Sequence, residues 1–301
     1  MELGYKGKKF NIDLVIVTRE RYPQLINCIN HILSNSIKPK RIIIVDSSSN
    51  YNKKIKDEIV NLGEKAGIIL NYLKVPHQGV GCSRNIGLLN VESSYFAFVD
   101  DDEYVPKLWL RRVSGIFNSK KDIHVLAGPK IPLDNKNYWH RVMRSLIEKE
   151  FNYEGKVDTI PSGNSIYLTS FVKKHRLSFD ERFRECSEDQ AFSYELRRAG
   201  ANIYFHRGIW VKHDLRSKII PFVKQWFYYG KNKFLYQKYY LGSGSVMELP
   251  RLDRTLRNFR RTFPYSGSLE DIRIWSGVAL LNFVFITGFL YAFVNKRLSN
   301  G

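Results

Sequence analysis

Four acidic residues in a row, Asp100-Asp101-Asp102-Glu103, follow the short apolar run YFAFV at residues 95–99. Carboxylates this close repel one another unless water or a cation neutralises them. If the strand runs on, alternation places Asp100 and Asp102 on the same side. Two same-side carboxylates suit a hard divalent ion that also holds phosphate oxygens. A solvated acidic turn is the competing reading. Three other places carry groups of chemical interest. The segment Gly79-Val80-Gly81-Cys82-Ser83-Arg84 is a glycine-rich start to a helix, where backbone N–H groups favour anions and Arg84 could grip a phosphate with two hydrogen bonds. It lacks the spacing of a dinucleotide fingerprint and the GKS or GKT of a P-loop. Glu188 and Asp189 open an apolar-periodic helix behind Ser187. Ser187 would cap that helix and the two acids would complement its dipole, or a carboxylate there would serve as a general base. His213 ends the run Ile209–Lys212 and precedes Asp214, and a neutral imidazole there could bind a metal.

The elements that must hold these groups are legible in the first hundred residues. DLVIVT (13–18), RIIIV (41–45), residues 68–75 and YFAFV (95–99) read as strands, with helices over 23–33, 53–66 and 79–91 between them. This alternation predicts βαβ units and a mainly parallel sheet. Ligands of such sheets bind beyond the carboxyl ends of the strands. Those ends carry Thr18 and Arg19, then Asp46 with three serines, then His77-Gln78-Gly79 leading to Arg84, then the acidic quartet. Further on, helices are expected near 138–150, 188–199 and 218–240, with short strands near 202–206 and 209–213. The fold class is therefore α/β: a Rossmann-like sheet flanked by helices, with a C-terminal helical extension.

The chain has 301 residues, 44% hydrophobic and 26% charged, the balance of a folded globular protein rather than a disordered one. Its formal charge of +19 calls for anionic partners, whether phosphate-bearing substrates, nucleic acid or anionic lipid. The cysteines, Cys28, Cys82 and Cys186, are odd in number and far apart, which speaks against a disulfide framework or a zinc site. The opening MELGYKGKKFNI has no apolar core of the signal-peptide kind. Residues 274–294 contain no charge and have about the ~20-residue length of a membrane span, with Trp275 and Tyr291 near its ends. The expected organisation is a catalytic domain over 1–240, a basic connector over 241–273 that includes Arg251, Arg254, Arg257, Arg260 and Arg261, and an apolar helix over 274–294 that spans a membrane or lies in its plane.

Taken in order, the segments VIVTRERYPQL, IIIVDSSS, GVGCSRNIGL, FVDDDEYVPKLWL, PSGNSIYLTS, SEDQAF and VKHD followed by FVKQWFYYGKNKF resemble family 2 of the inverting glycosyltransferases, which have the GT-A fold. The likeness runs over about residues 11–240. It implies a nucleoside-diphosphate-sugar donor, by default a UDP-sugar with GDP and dTDP open, and Mg²⁺ or Mn²⁺ as the metal. Thr18, Arg19 and Asp46 would contact the base and ribose. Arg84 would lie near the nucleotide or diphosphate. Asp100 and Asp102 would be the outer members of the DxD motif, with Asp101 between them; Asp102 would bind the metal, helped by Asp100 and by His213. Asp189 would be the catalytic base supported by Glu188, and Gly163 and Asn164 would lie near the donor sugar or acceptor. The sequence departs from the family at Val17, where proline is usual, at Glu20, where Asn is common, and at Ser47, where a second Asp is frequent.

The function implied is hexosyl transfer to an acceptor hydroxyl, in surface polysaccharide or glycolipid synthesis at the cytoplasmic face of a membrane, with a carbohydrate or lipid-linked acceptor. A nucleotidyltransferase of similar fold is the competing enzyme class, although its glycine-rich loop after the first strand is replaced here by TRERYP. A member that has lost activity, or a basic protein that only binds nucleotide or nucleic acid, is the non-catalytic alternative. No zinc-finger or RNP-type motif accompanies the basic residues, so no nucleic-acid partner is expected.

Overall fold

The computed structural model describes residues 10–134, 136–147, 153–215, 218–241 and 269–299. The arginine cluster at 251–261, and most of the connector expected over 241–273, lie outside the described residues.

The first half is built as the sequence predicts. Strands β1 (Ile12–Thr18), β2 (Arg41–Asp46), β3 (Ile69–Lys74) and β4 (Tyr95–Asp100) alternate with helices α1 (Tyr22–Leu33), α2 (Lys53–Lys65) and α3 (Val80–Leu89). The strands are parallel neighbours in the order β3-β2-β1-β4. Branched apolar runs with no polar alternation fit strands covered on both faces. Successive side chains go to opposite layers: Leu14, Ile16, Ile42 and Ile44 meet Leu25 and Ile29 of α1 and Ile59 of α2, while Val15, Ile43 and Val45 meet Leu88 of α3. Gly87 lets α3 press onto β1, since a Cβ there would collide with the Val15 side chain. Asn52 caps α2 by accepting from the N–H groups of Lys54 at 3.0 Å and Ile55 at 3.4 Å, the ordinary role of asparagine at that position.

The register matters for the site. Val17 pairs with Asp100, and Thr18 with Asp46. The strands therefore stop level, and their polar termini share one edge.

The second half is more broken. It comprises β5 (Glu103–Tyr104), α4 (Trp109–Ser119), β6 (Val125–Ala127), β7 (Lys130–Pro132), α5 (Tyr138–Ile147), β8 (Glu154–Lys156), β9 (Ser165–Leu168), α6 (Thr169–Lys174), α7 (Glu188–Arg198), β10 (Ile203–His206), β11 (Val211–His213), α8 (Ile219–Tyr240) and α9 (Leu269–Ser299). Strand β9 runs antiparallel between β4 and β6, and β10 and β8 complete an eight-stranded sheet. A second sheet of three strands, β5-β11-β7, pairs His213 with Glu103 and Val211 with Lys130. It folds over the end of β4.

The apolar C-terminal segment is part of α9. Residues Ile272–Asn295 form 24 residues of mean hydropathy 2.1, long and apolar enough to cross a membrane by length and composition. Helix α9 packs on α8 and on α5, where Val278 and Leu281 join Trp139, Val142 and Phe222.

Candidate functional site

At the end of β2, Asp46 is fully buried. Its carboxylate accepts hydrogen bonds from Tyr72 Oη at 2.8 Å, Tyr22 Oη at 3.1 Å and the Ser48 N–H at 2.8 Å. The adjacent loop is closed by Glu20, a left-handed residue with φ of 57°. Its carboxylate accepts from the Ser49 N–H at 2.5 Å, and its own N–H donates to Ser48 Oγ at 2.7 Å. Glu20 thus ties the loop after β1 to the loop after β2, which gives this departure from the family pattern a structural role. Arg19 stands at the exposed rim with its guanidinium 2.8 Å from His77 Nε2. Partial burial, helped by the Arg19 and Arg184 charges, pulls the His77 imidazole below its ordinary pKa.

The acidic quartet is not a solvated turn. Asp101 and Asp102 are only 4% and 8% exposed, and Glu103 is fully buried. Strand β4 ends at Asp100, and the turn that follows keeps Asp100 and Asp102 together. Each acid has a cationic or hydroxyl neighbour. Asp100 faces Arg84 Nη2 at 3.2 Å and Lys130 Nζ at 2.5 Å. Asp101 accepts from Thr18 Oγ1 at 2.7 Å and pairs with Arg21 Nη1 at 3.1 Å. Asp102 pairs with the other arm of Arg21 and with His213 Nε2 at 3.1 Å. Glu103 lies 2.8 Å from Lys130 Nζ.

Burial and charge compete at these groups. Burial alone would raise Asp100, but Lys130 and Arg84 outweigh it and bring the carboxyl down to about 2. At Asp102, burial is likewise overcome, by His213 and Arg21, and the carboxyl falls well below its usual range. Burial wins at Asp101 despite Arg21, and at Glu103 despite Lys130; both are pushed up to about 7. The anionic charge is thereby concentrated on Asp100 and Asp102.

Ligand atoms of Asp100, Asp102 and His213 all lie within 4.8 Å of one another. Two carboxylate oxygens suit a hard ion such as Mn²⁺ or Mg²⁺, and the imidazole nitrogen favours Mn²⁺ of the two. The donor set therefore fits a divalent ion. Gly163 lies against this cluster, where a Cβ would collide with Asp100, Glu103 and Lys130.

Arg84 projects from α3 and is 6% exposed. One arm of its guanidinium pairs with Glu188 and the other with Asp100. The segment before Glu188 is strained: Ser187 has φ of 72° and its side chain makes no capping bond, so the simple helix-cap reading of Ser187 is replaced by a left-handed corner. Such a conformation costs about 1–3 kcal/mol in a residue other than glycine and persists where the surroundings impose it. Here Arg84 holds one side, and Asn232 of α8 donates to Cys186 Sγ at 3.0 Å on the other. Asp189 follows at the start of α7. Burial pushes its carboxyl up to about 7, with Glu188 adding and Arg84 opposing.

The fold thus gathers Thr18, Arg84, Asp100, Asp101, Asp102, Gly163, Glu188 and His213 around one sheet edge, with Asp189 next to Glu188 in the first turn of α7. Asn164 is differently placed. It has φ of 57°, accepts from Trp109 Nε1 at 2.9 Å, and donates to the carbonyls of Ile209 at 2.8 Å and Pro129 at 3.2 Å. Both its amide hydrogens serve the core behind Gly163. Lys130, central to the cluster, stands in no motif and is brought in by the pairing of β7 with β11. Arg21 lies within the VIVTRERYPQL segment, where nothing singles it out, and the loop after β1 carries it to Asp101 and Asp102.

The model of Glycosyl transferase family 2 matches residues 13–176, more than half of the chain. The match includes Thr18, Asp46, Arg84, the acidic quartet and Gly163, and ends before Glu188, Asp189 and His213. EpsH of Bacillus subtilis (strain 168) is 25% identical over an alignment of 196 residues that covers 61% of this chain and 54% of EpsH. The chain therefore spans about half the length of that curated relative. Among solved structures, residues 1–349 of S. aureus TarS in complex with UDP-GlcNAc superpose with a TM-score of 0.57 at 16% identity, covering 96% of this chain and 92% of that one. The mannosyltransferase PcManGT from Pyrobaculum calidifontis, in complex with GDP-Man and Mn²⁺, gives a TM-score of 0.61 at 12% identity, covering 96% and 87%. These two likenesses concern the fold. With the family match, they lead to one conclusion: this chain belongs to glycosyl transferase family 2 and has the GT-A fold.

Proposed function

We propose that the chain transfers a hexosyl group from a nucleoside-diphosphate sugar, UDP-linked in the first instance, to an acceptor hydroxyl with inversion at the anomeric carbon. The observation that carries this reading is the Arg84 bridge between Asp100 and Glu188, which ties the end of β4 and the Glu188-Asp189 segment to one sheet edge. Asp46 and Thr18, with Arg19 at the rim, are assigned to the nucleoside. Asp102, Asp100 and His213 are assigned to a divalent ion, which when bound neutralises charge on the leaving diphosphate. Arg84 stabilises that charge from the side of α3. Asp189 removes the acceptor proton; its raised pKa makes it a better base than an ordinary carboxylate near neutral pH. Glu188, held by Arg84, supports Asp189 by raising its pKa, and Gly163 leaves room beside the acids.

We assign the catalytic domain to residues 1–240 and a membrane-associating role to the 274–294 segment, at the cytoplasmic face. The acceptor is then a lipid-linked sugar or a growing surface polysaccharide. The support is the length and apolarity of Ile272–Asn295 and the formal charge of +19. The test is incubation with UDP-, GDP- and dTDP-sugars and Mn²⁺ or Mg²⁺, reading nucleoside diphosphate released. Pyrophosphate release instead would indicate nucleotidyl transfer.

A further inference from the structure

Helices α8 and α9 run side by side in the same direction: Phe222 packs with Val278 and Leu281 near one end, and Phe234 with Phe289 and Phe293 near the other. The contact is backbone to backbone. A Cβ on Gly230 would strike the Phe285 carbonyl, and one on Gly288 would strike the Phe227 carbonyl. Small residues at such crossings let two helices approach closely. The pair is also fastened to the rest of the protein. Tyr138 of α5 donates to the Arg273 carbonyl at 2.7 Å, and Gly277 lies against Tyr138 and Val142. On α8, Asn232 binds Cys186, Tyr236 packs with Phe183 and Ala191, and Tyr240 Oη donates to Asp180 at 2.9 Å.

These contacts limit how α9 can meet a membrane. Residues 273–281 are engaged with α5. The remainder to Val294 is about 13 residues, or about 20 Å of helix, against about 30 Å for a hydrocarbon core. Its inner side is occupied by α8, which carries Lys224, Lys231, Lys233 and Lys238. The outer side is apolar and open. Ile220 is 78% exposed and Phe283 is 65% exposed, with Ile219, Leu290, Tyr291 and Val294 also exposed. A groove lined by Ile219, Ile220, Val223, Phe227, Val284 and Thr287 joins the two helices into one surface, and Lys224 lines it too. Lys218 and Arg273 are exposed near its margin.

We propose that α8 and α9 act as one in-plane anchor, seating this groove and the adjoining face on an anionic bilayer surface with neither helix crossing it. The inference rests on the membrane-associating reading above and specifies its geometry. An apolar face flanked by cations is what binds the interface of an anionic membrane. Because α8 also holds Cys186, the anchor fixes the Glu188-Asp189 segment relative to the bilayer.

Full-length protein is mixed, without detergent, with vesicles of phosphatidylcholine alone or with phosphatidylglycerol, and sedimented. Membranes from expressing cells are separately washed with alkaline carbonate. The proposal expects sedimentation with the anionic vesicles, weakened by salt, and release by carbonate. It expects I220S with F283S to lower partition by about tenfold or more, while donor cleavage in solution is kept. Retention through carbonate, with release only by detergent, would overturn the in-plane geometry and leave membrane association standing. Absence from both vesicles and cell membranes would overturn the membrane reading as well.

Discussion

Arg84 and Glu188, 104 positions apart, form a buried ion pair, and the second arm of the same guanidinium reaches Asp100 at 3.2 Å. One side chain thus joins helix α3, the end of β4 and the start of α7. The three elements come from distant parts of the chain, and the Arg84 side chain sets the spacing between the acids assigned to the metal and those assigned to proton transfer.

Removing that side chain leaves Glu188 and Asp100 without it in a buried setting. Loss of one partner of a buried pair typically costs about 3–5 kcal/mol. Arg84→Ala is expected to lower the unfolding free energy by about that amount and to abolish donor cleavage. Arg84→Lys keeps the charge but cannot reach both acids with a planar fork, so it is expected to recover stability more than turnover. Denaturant titration and nucleoside diphosphate release, measured on both variants, separate the two effects.

The raised pKa of Asp189 gives a pH prediction. Burial and Glu188 disfavour its anion, so the base form is the minority below about pH 7 and the majority above it. Turnover at saturating donor and metal is expected to rise with pH through that region. Asp189→Asn is expected to lose that limb and to fall by about 10²–10⁴-fold. A rate profile over about pH 5.5 to 8.5, which brackets a base near neutrality, checks both statements.

Gly163 faces the cluster with no room for a methyl group. Overpacking of this kind costs about 1–3 kcal/mol, and here the atoms displaced are those of Asp100, Glu103 and Lys130. Gly163→Ala is expected to weaken Mn²⁺ binding by about tenfold while the far-ultraviolet circular dichroism is unchanged. Mn²⁺ titration followed by electron paramagnetic resonance reads this without requiring turnover.

The first half of the fold was legible because β1, β2 and β4 are unbroken apolar runs and the helices between them keep an apolar stripe. The short strands β5 to β9 were not read from the sequence. They are two to four residues long, too short for periodicity, and are defined by pairing across the chain. The same reason hides Lys130: nothing local marks it, and β11 pairing with β7 brings it to Asp100. The acidic quartet was visible, yet whether it was solvated or buried depended on Arg21, Lys130 and His213 arriving from elsewhere. Asn164 sat within a recognisable segment, but its left-handed backbone turns its amide into the core, which the residue type alone could not reveal.

The most direct test of the account is Mn²⁺-dependent cleavage of a panel of UDP-, GDP- and dTDP-sugars by the wild-type chain and by Asp102→Ala. The account predicts release of nucleoside diphosphate from one donor class, lost on chelation of the metal and reduced at least about 100-fold in the variant, in line with loss of charge stabilisation at the leaving group. Undiminished release by Asp102→Ala, or no release and no metal-dependent nucleotide binding by the wild type, would contradict it.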